Sequence, residues 1–211
     1  MYKVRFRYSK TGRAKYISHL DLMSTLQRSF LRAGIKLKYS EGFNPHPYMS
    51  VALPLSVGCE SICELIDVGF ADDCIPDIRT IKLPDGLTIT EVYRPAGNFA
   101  DITWVELDGK MYYKNRSLND IIDELIKYFS KDSIIIKKRT KRGYKELDVS
   151  RLIKDAIFSI NDCISVNIKV SAQNPTLNAD DLISALDNEL KPDYYEMKRI
   201  GIYSSNMILF N

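Results

Sequence analysis

The sequence predicts an α+β fold built from two tandem ferredoxin-like (split βαβ) units with antiparallel sheets. Segments in which apolar and polar residues alternate mark strands, and apolar residues at helical spacing mark helices. In residues 1–97 these segments follow the order β-α-β-β-α-β, and a similar order recurs in residues 98–211. Pro95 and Gly97 separate the two series, and 211 residues are enough for two small domains with their own cores. We therefore expect an N-terminal ferredoxin-like domain at 1–97 and a C-terminal α+β domain at 98–211.

The N-terminal unit opens with a strand at residues 2–8. Its apolar residues alternate with Lys and Arg, which predicts one buried face and one cationic outer face. A capping box at residues 18–21 begins a helix, and Gly34 ends it in a left-handed turn. Residues 72–81 predict a second, short helix that Pro76 weakens. The remaining strands are expected at residues 35–39, 49–55, 63–70 and 87–93.

The C-terminal unit follows a similar order and adds a hairpin with a basic run at its tip. A second capping box, at residues 117–120, begins its first helix. Residues 151–160 are ambiguous, and a short helix is one interpretation. In chain order the expected elements are a strand at 102–107, a helix at 117–129, hairpin strands at 133–139 and 144–149, the ambiguous 151–160, a strand at 163–170, a helix from a cap at Asn178 to about residue 190, and a strand at 194–203.

Composition disfavours membrane, secreted and metal-cluster proteins. No apolar run approaches the roughly 20 residues that cross a bilayer, and the N-terminus lacks an apolar signal core, so we expect a cytoplasmic protein without membrane contact. Cys59 and Cys63 are four apart, but no third cysteine follows closely, so the three-cysteine motif of a radical-SAM cluster is absent. We expect buried thiols, with no metal and no cofactor.

The net charge of +3 is distributed unevenly along the chain. Residues 1–50 carry ten Lys or Arg and two Asp or Glu, whereas residues 51–100 carry three and eight. Residues 137–142, KKRTKR, hold five cations. This asymmetry predicts that one face meets a polyanion. A solvated charged surface is the alternative for residues 137–142.

Residues 39–56 form a proline-braced loop around one of the two histidines. Pro45 and Pro47 enclose His46 and bias Asn44 and His46 away from helix. Long ordered loops inside compact domains are usually functional. His46 suits general acid–base chemistry near neutral pH. The alternative is that His46 forms a hydrogen bond that holds the loop.

His19 lies in the first turn of the predicted helix, where the helix dipole disfavours a cation. If the first strand, helix and loop pack as the split βαβ order requires, the two histidines meet at one sheet edge. Tyr39, Lys36 and Lys38 are close to that edge in sequence. Such a cluster is that of a metal-independent ribonuclease, in which one group takes the 2′-hydroxyl proton and cations hold the phosphate. The catalytic candidates are His46, His19 and Tyr39, and a structural or surface role is the alternative for His19.

Cations and aromatic residues are interleaved near the N-terminus, as in proteins that bind phosphates and unpaired bases. Core packing is the alternative for Tyr2 and Tyr8. Arg151 either contacts phosphate or pairs with Asp148. The expected RNA-binding residues are Arg5, Arg7, Arg13, Lys15, Lys36, Lys38, Asn44, His46, Lys138, Arg139, Lys141 and Arg142.

Three motifs carry a family resemblance: Tyr16-Ile-Ser-His-Leu-Asp21, Ser40-Glu-Gly-Phe-Asn-Pro-His-Pro47 and Gly143-Tyr-Lys-Glu-Leu-Asp148. With them the chain resembles the radical-SAM-linked (radical-SAM-associated) protein family of unknown function along nearly its whole length. The resemblance implies partnership with a radical-SAM enzyme and genes placed near those of ribosomal proteins and ribonucleases. It implies no established activity or catalytic residue.

These observations predict an accessory RNA-binding module that works with a radical-SAM enzyme in rRNA or tRNA modification and is not an enzyme on its own. Two alternatives remain at this point. One is a metal-independent RNA endonuclease that uses His46 or His19. The other is a protein-docking module with no nucleic-acid role.

Overall fold

The computed structural model describes residues 2–73, 75–140, 143–187 and 189–211. Within them the chain is mixed α+β, with three α-helices and antiparallel strand pairs, so the α+β class is confirmed. The chain divides into two compact units. Unit 1 is Met1–Asp101 together with Asn211, and unit 2 is Ile102–Phe210. The division therefore falls after Asp101 rather than after Gly97.

Unit 1 contains one long helix and a four-stranded sheet. Its strands lie in the order β4-β1-β3-β2, and each neighbouring pair is antiparallel. Short 3₁₀ turns occur at Gly12–Tyr16, Ile78–Thr80 and Phe99–Asp101. The regular elements are β1 (Tyr2–Lys10), α1 (His19–Arg32), β2 (Met49–Val51), β3 (Glu60–Phe70) and β4 (Leu87–Tyr93).

The core of unit 1 lies between α1 and one face of this sheet. Every second residue of β1 points into it, as the alternation predicts. Ser18 caps α1 as expected, because its hydroxyl oxygen accepts a hydrogen bond from the Asp21 backbone N–H at 3.1 Å. Gly34 follows the helix with φ +76°, which suits glycine. The buried residues that β1 and α1 contribute to this core are Val4, Phe6, Tyr8, Leu22, Leu26 and Phe30.

Three sequence predictions for unit 1 are wrong. Residues 72–81 form no α-helix in their described part and contain only the 3₁₀ turn Ile78–Thr80. Pro76 explains this, because it lacks the N–H that a helix needs and disfavours helical geometry at the residue before it. The strand expected at 35–39 is reduced to single bridges, and the strand expected at 49–55 is only β2, since the chain leaves the sheet edge between them.

Unit 2 also has a four-stranded antiparallel sheet, in the order β10-β5-β9-β8. A separate two-stranded hairpin, β6 with β7, lies where the sequence predicts it. The elements are β5 (Ile102–Tyr112), α2 (Leu118–Phe129), β6 (Ile135–Thr140), β7 (Gly143–Asp148), β8 (Ile153–Ile160), β9 (Ile164–Ser171), α3 (Ala179–Ala185) and β10 (Tyr194–Ser204).

Three predictions for unit 2 also need correction. Residues 153–160 are a strand, because β8 pairs with β9 along its length after a 3₁₀ turn. The capping box at 117–120 does not form, since the Ser117 side chain makes no cap hydrogen bond. The last helix has its cap at Asn178 but ends at Ala185.

In each unit the four sheet strands, numbered in chain order within the unit, lie in the spatial order 4-1-3-2. In the described part of the chain, unit 1 has one α-helix and unit 2 has two. No described helix has the length and apolar character that a bilayer crossing requires.

Candidate functional site

The chain leaves the edge of β3 and returns to it at a single residue. Gly69 accepts a hydrogen bond from the Lys38 N–H at 2.8 Å and donates its own N–H to the Tyr48 carbonyl at 2.7 Å. Between these two contacts residues 39–47 fold back on themselves. We call residues 39–48 the proline loop. It therefore projects from the β2 side of the unit 1 sheet.

Hydrogen bonds across its neck hold the proline loop closed. The Ser40 N–H donates to the His46 carbonyl at 2.8 Å, and the His46 N–H donates to the Ser40 hydroxyl oxygen at 2.9 Å. Gly42 turns the chain at its tip with φ +119°, a region that L side chains rarely adopt. His46 thus fixes the loop through its backbone.

The tip of the proline loop presents an aromatic ring to solvent. Phe43 is fully exposed, and Tyr48 at the base is partly exposed. Asn44 and His46 are also exposed. A rigid loop that holds apolar surface in water is typical of a contact site.

The structure does not join the three catalytic candidates. His19 and His46 are both exposed, and within the described residues neither imidazole forms a hydrogen bond or ion pair. Tyr39 accepts a 3.4 Å hydrogen bond from Gln27 on α1. Gln27 is eight residues beyond His19, or about 12 Å along the helix. No contact among the described residues brings His19, His46 and Tyr39 together, as the expected RNA endonuclease site requires.

Arg5 is buried with an exposed fraction of 0%, so the prediction that β1 has an open cationic face is wrong at its centre. Its guanidinium holds Asp67 on β3 through two hydrogen bonds of 2.7 and 3.0 Å. It also donates to the Gly97 and Asn211 backbone oxygens and lies over the Phe99 ring. These contacts neutralise the charge of Arg5 and surround its guanidinium group, which leaves no room for a phosphate.

Arg7 is also largely covered, with its side chain 12% exposed. It donates to the Asn211 side-chain oxygen at 2.8 Å and lies 3.7 Å from Glu91. Burial raises the pKa of the Tyr93 hydroxyl, and the positive charge of Arg7 acts in the opposite direction. Arg5 and Arg7 therefore do not form one charged surface with the proline loop.

The other expected RNA-binding cations of unit 1 are closer to solvent. Lys15 lies 3.5 Å from Glu60, and Lys36 lies 3.2 Å from Asp72. The side chains of Arg13 and Lys38 are exposed, and each makes no ion pair within the described residues. Of these four cations, only Arg13 and Lys38 have no carboxylate partner in the described part of the chain.

The β6–β7 hairpin carries exposed lysines in unit 2. Lys137 and Lys145 are exposed on opposite strands. Lys138 bonds to Asp181 at 2.7 Å and to the Thr176 carbonyl, which ties the hairpin to the start of α3. The Arg139 side chain, Lys141 and Arg142 lie outside the described residues.

Asp148 is held by the backbone rather than by Arg151. Its carboxylate accepts hydrogen bonds from the Ser150 and Ile134 backbone N–H groups and from the Ser133 hydroxyl. These bonds hold the pKa of Asp148 well below its usual range. Arg151 is exposed.

The described cysteines form no disulfide with one another. Cys63 and Cys163 are buried, as expected, and Cys59 is partly buried. Cys74 lies outside the described residues. Within the part of the chain that the structure describes, no group of three or more His, Cys, Asp or Glu side chains is arranged to hold a metal.

A family model described as "uncharacterized protein conserved in bacteria" (DUF2344) matches residues 3–189. The chain belongs to this family. The matched range contains the SHLD helix, the proline loop and the β6–β7 hairpin. Among curated proteins none matches the chain. The family description names no activity, ligand or partner.

One surface of this DUF2344 chain was not predicted from the sequence. The exposed side of α1 has two flanks. The charged flank contains Asp21, Arg28 and Arg32, and the uncharged flank contains Leu20, Ser24, Gln27 and Leu31. A signal was present, because these leucines fall outside the apolar stripe that faces the core. Gln27 joins the uncharged flank to the proline loop through Tyr39.

Proposed function

We propose that this chain is a non-catalytic accessory module that binds RNA and works with a radical-SAM enzyme in rRNA or tRNA modification in the cytoplasm. The single observation that carries RNA binding is the β6–β7 hairpin, which exposes Lys137 and Lys145 apart from the main sheet. The run at 137–142 adds further cations in sequence. The register pairs Lys145 with Lys138, so Lys137 and Lys145 lie on opposite faces of the hairpin, and exposed cations on both faces suit a phosphate backbone.

The anchoring of this ribbon supports the proposal. Lys138 forms an ion pair with Asp181, so the middle of the hairpin is attached to α3. Lys137 and Lys145 then extend from a preorganised support, which lowers the entropy lost on binding.

The partnership with a radical-SAM enzyme rests on the resemblance carried by the SHLD, SEGFNPHP and GYKELD motifs. Membership of the DUF2344 family is compatible with it and adds no partner of its own. We also infer that both units are ferredoxin-like. The shared 4-1-3-2 strand order supports this, as do the positions of α2 and α3 in unit 2.

RNA binding is tested by the salt dependence of affinity. Fluorescence anisotropy with a labelled hairpin RNA is expected to give a slope of log K against log salt of about −0.7 to −0.9 for each phosphate contact. Lys137→Ala with Lys145→Ala is expected to make that slope shallower by about 1 to 2, because two contacts are lost. The matched control is Lys114→Ala with Lys127→Ala, which removes two exposed lysines of unit 2 outside the hairpin.

A flat salt response of the unaltered chain would reject RNA binding altogether. Equal slopes for the hairpin variant and the control would reject the hairpin as the site.

A further inference from the structure

We propose that α1 pairs with α1 of a second copy of this chain, in antiparallel orientation, through the uncharged flank. The uncharged flank is defined as Leu20, Ser24, Gln27 and Leu31. This inference goes beyond the proposed function and does not depend on RNA binding, because the RNA proposal concerns unit 2.

The uncharged flank is a continuous stripe along the helix. Its residues are spaced four, three and four positions apart, so they lie one above another on α1. Leu20 is 76% exposed and Leu31 is 48% exposed, at opposite ends of a stripe about 17 Å long. Such ridges are what helices use to pack against each other. Between the two leucines lie the small side chain of Ser24 and the amide side chain of Gln27, which leave room for a second helix to approach closely.

All the charges of α1 lie on the other flank. Asp21, Arg28 and Arg32 are exposed and sit about 80° to 120° around the helix from Leu20. The negative charge is near the start of α1, and both positive charges are near its end. An RNA phosphate would find no cation along the uncharged flank, so the occupant is an apolar protein surface.

The charge order makes α1 complementary to a reversed copy of itself. In an antiparallel pair centred between Ser24 and Gln27, Leu20 of one copy meets Leu31 of the other. Asp21 then lies between Arg28 and Arg32 of the second copy, because like flanks face each other in an antiparallel pair. A two-fold axis repeats this contact, as isologous interfaces require. A parallel two-fold pair would instead place the two charged flanks on opposite sides of the seam, so Asp21 would not meet Arg28 and Arg32 of the second copy.

The proline loop extends the same surface. Its Tyr39 contacts Gln27, so the loop stands beside the centre of the proposed pair. The area is small, and we therefore expect a weak dimer with a dissociation constant in about the micromolar range.

Sedimentation velocity of the full chain tests the pairing over a range of about 1 to 500 µM. The unaltered chain is expected to pass from monomer to dimer in this range. Leu20→Lys is expected to weaken dimerisation by about tenfold or more, since it puts a charge into the seam. Ile126→Lys is the matched control, because Ile126 is an exposed apolar residue on α2 of unit 2. It is expected to leave the dimer unchanged.

Charge exchange tests the orientation. Asp21→Lys alone, and Arg28→Glu with Arg32→Glu alone, are each expected to remain monomeric, because each variant repels its own copy. A mixture of the two variants restores both contacts and is expected to form a heterodimer as strong as the original. Circular dichroism confirms that each variant is folded.

Three results would overturn the proposal. A chain that stays monomeric throughout the range has no such pair. A dimer that is insensitive to Leu20→Lys uses another surface. Charge variants whose mixture stays monomeric exclude the antiparallel orientation.

Discussion

Arg5 illustrates what a single residue contributes beyond its position in a pattern. Alternation along β1 correctly assigns Arg5 to the face opposite α1, but alternation does not say what covers that face. The register places Asp67 directly across from Arg5, 62 residues later in the chain. The backbone oxygens of Gly97 and Asn211 complete its partners. Long-range pairing of this kind leaves no local sequence signal.

Arg5→Met is expected to destabilise the chain by about 3–5 kcal/mol, because it leaves Asp67 charged in a buried site. Urea unfolding followed by circular dichroism measures this change. Lys3→Met is the control, since Lys3 lies 3.8 Å from the same carboxylate but is 49% exposed, and it should cost about 1 kcal/mol or less. Arg5→Met combined with Asp67→Leu should recover much of the loss, because both charges are gone. A loss equal to that of Lys3→Met would contradict this account.

At the scale of elements, the regular strands and the α1 cap could be predicted from local chemistry. β4 has the predicted bounds, and Ser18 caps α1 as its sequence indicates. The failures occur where tertiary contacts compete with local preference. Residues 153–160 have enough apolar character for a helix, yet pairing with β9 makes them a strand. The stiffness of the proline loop could be predicted from its prolines, but its attachment at Gly69 could not.

The closure of the proline loop by Ser40 can be tested directly. Ser40→Ala removes the hydroxyl that accepts the His46 N–H. We expect hydrogen exchange of the His46 amide to accelerate by about fivefold, which corresponds to one hydrogen bond of about 1 kcal/mol. Ser24→Ala on α1 is a control in unit 1 and should leave this amide unchanged. An unaltered exchange rate at His46 in the Ser40→Ala variant would show that the backbone bond alone closes the loop.

The stability that Asp148 gives to the turn after β7 should depend on pH. Because hydrogen bonds depress the pKa of Asp148 in the folded chain, its carboxylate stabilises the fold above the ordinary carboxyl pKa of about 4. That contribution is lost as pH falls below this value. Asp148→Asn is therefore expected to lower the thermal midpoint at pH 7, and the difference from the unaltered chain should shrink in acid. A difference that stays constant from pH 7 down to about pH 2 would mean that the charge of Asp148 is unimportant.

At the scale of the whole molecule, the sequence indicates two α+β units, and the structure contains two compact ones. The main departure is that the described residues of unit 1 do not include the expected second helix, and Pro76 accounts for it. The expected site depended on more than the order of elements, because it required Arg5, Arg7, both histidines and the proline loop to form one surface. Net charge along the sequence counts cations without their partners. Arg5, Arg7, Lys15, Lys36 and Lys138 each have a carboxylate within 4 Å, which only the fold reveals.

The two proposed surfaces lie in different units, so they should be separable by mutation. Leu20→Lys is expected to weaken dimerisation by about tenfold or more without changing the salt slope of RNA binding, because no charge of the β6–β7 hairpin is altered. Lys137→Ala with Lys145→Ala is expected to weaken RNA binding and leave the monomer–dimer equilibrium unchanged. Anisotropy and sedimentation velocity on both variants give the four measurements. If Leu20→Lys weakened RNA binding as much as the hairpin variant does, RNA would engage the dimer through both units, and the assignment of the two roles to separate surfaces would be wrong.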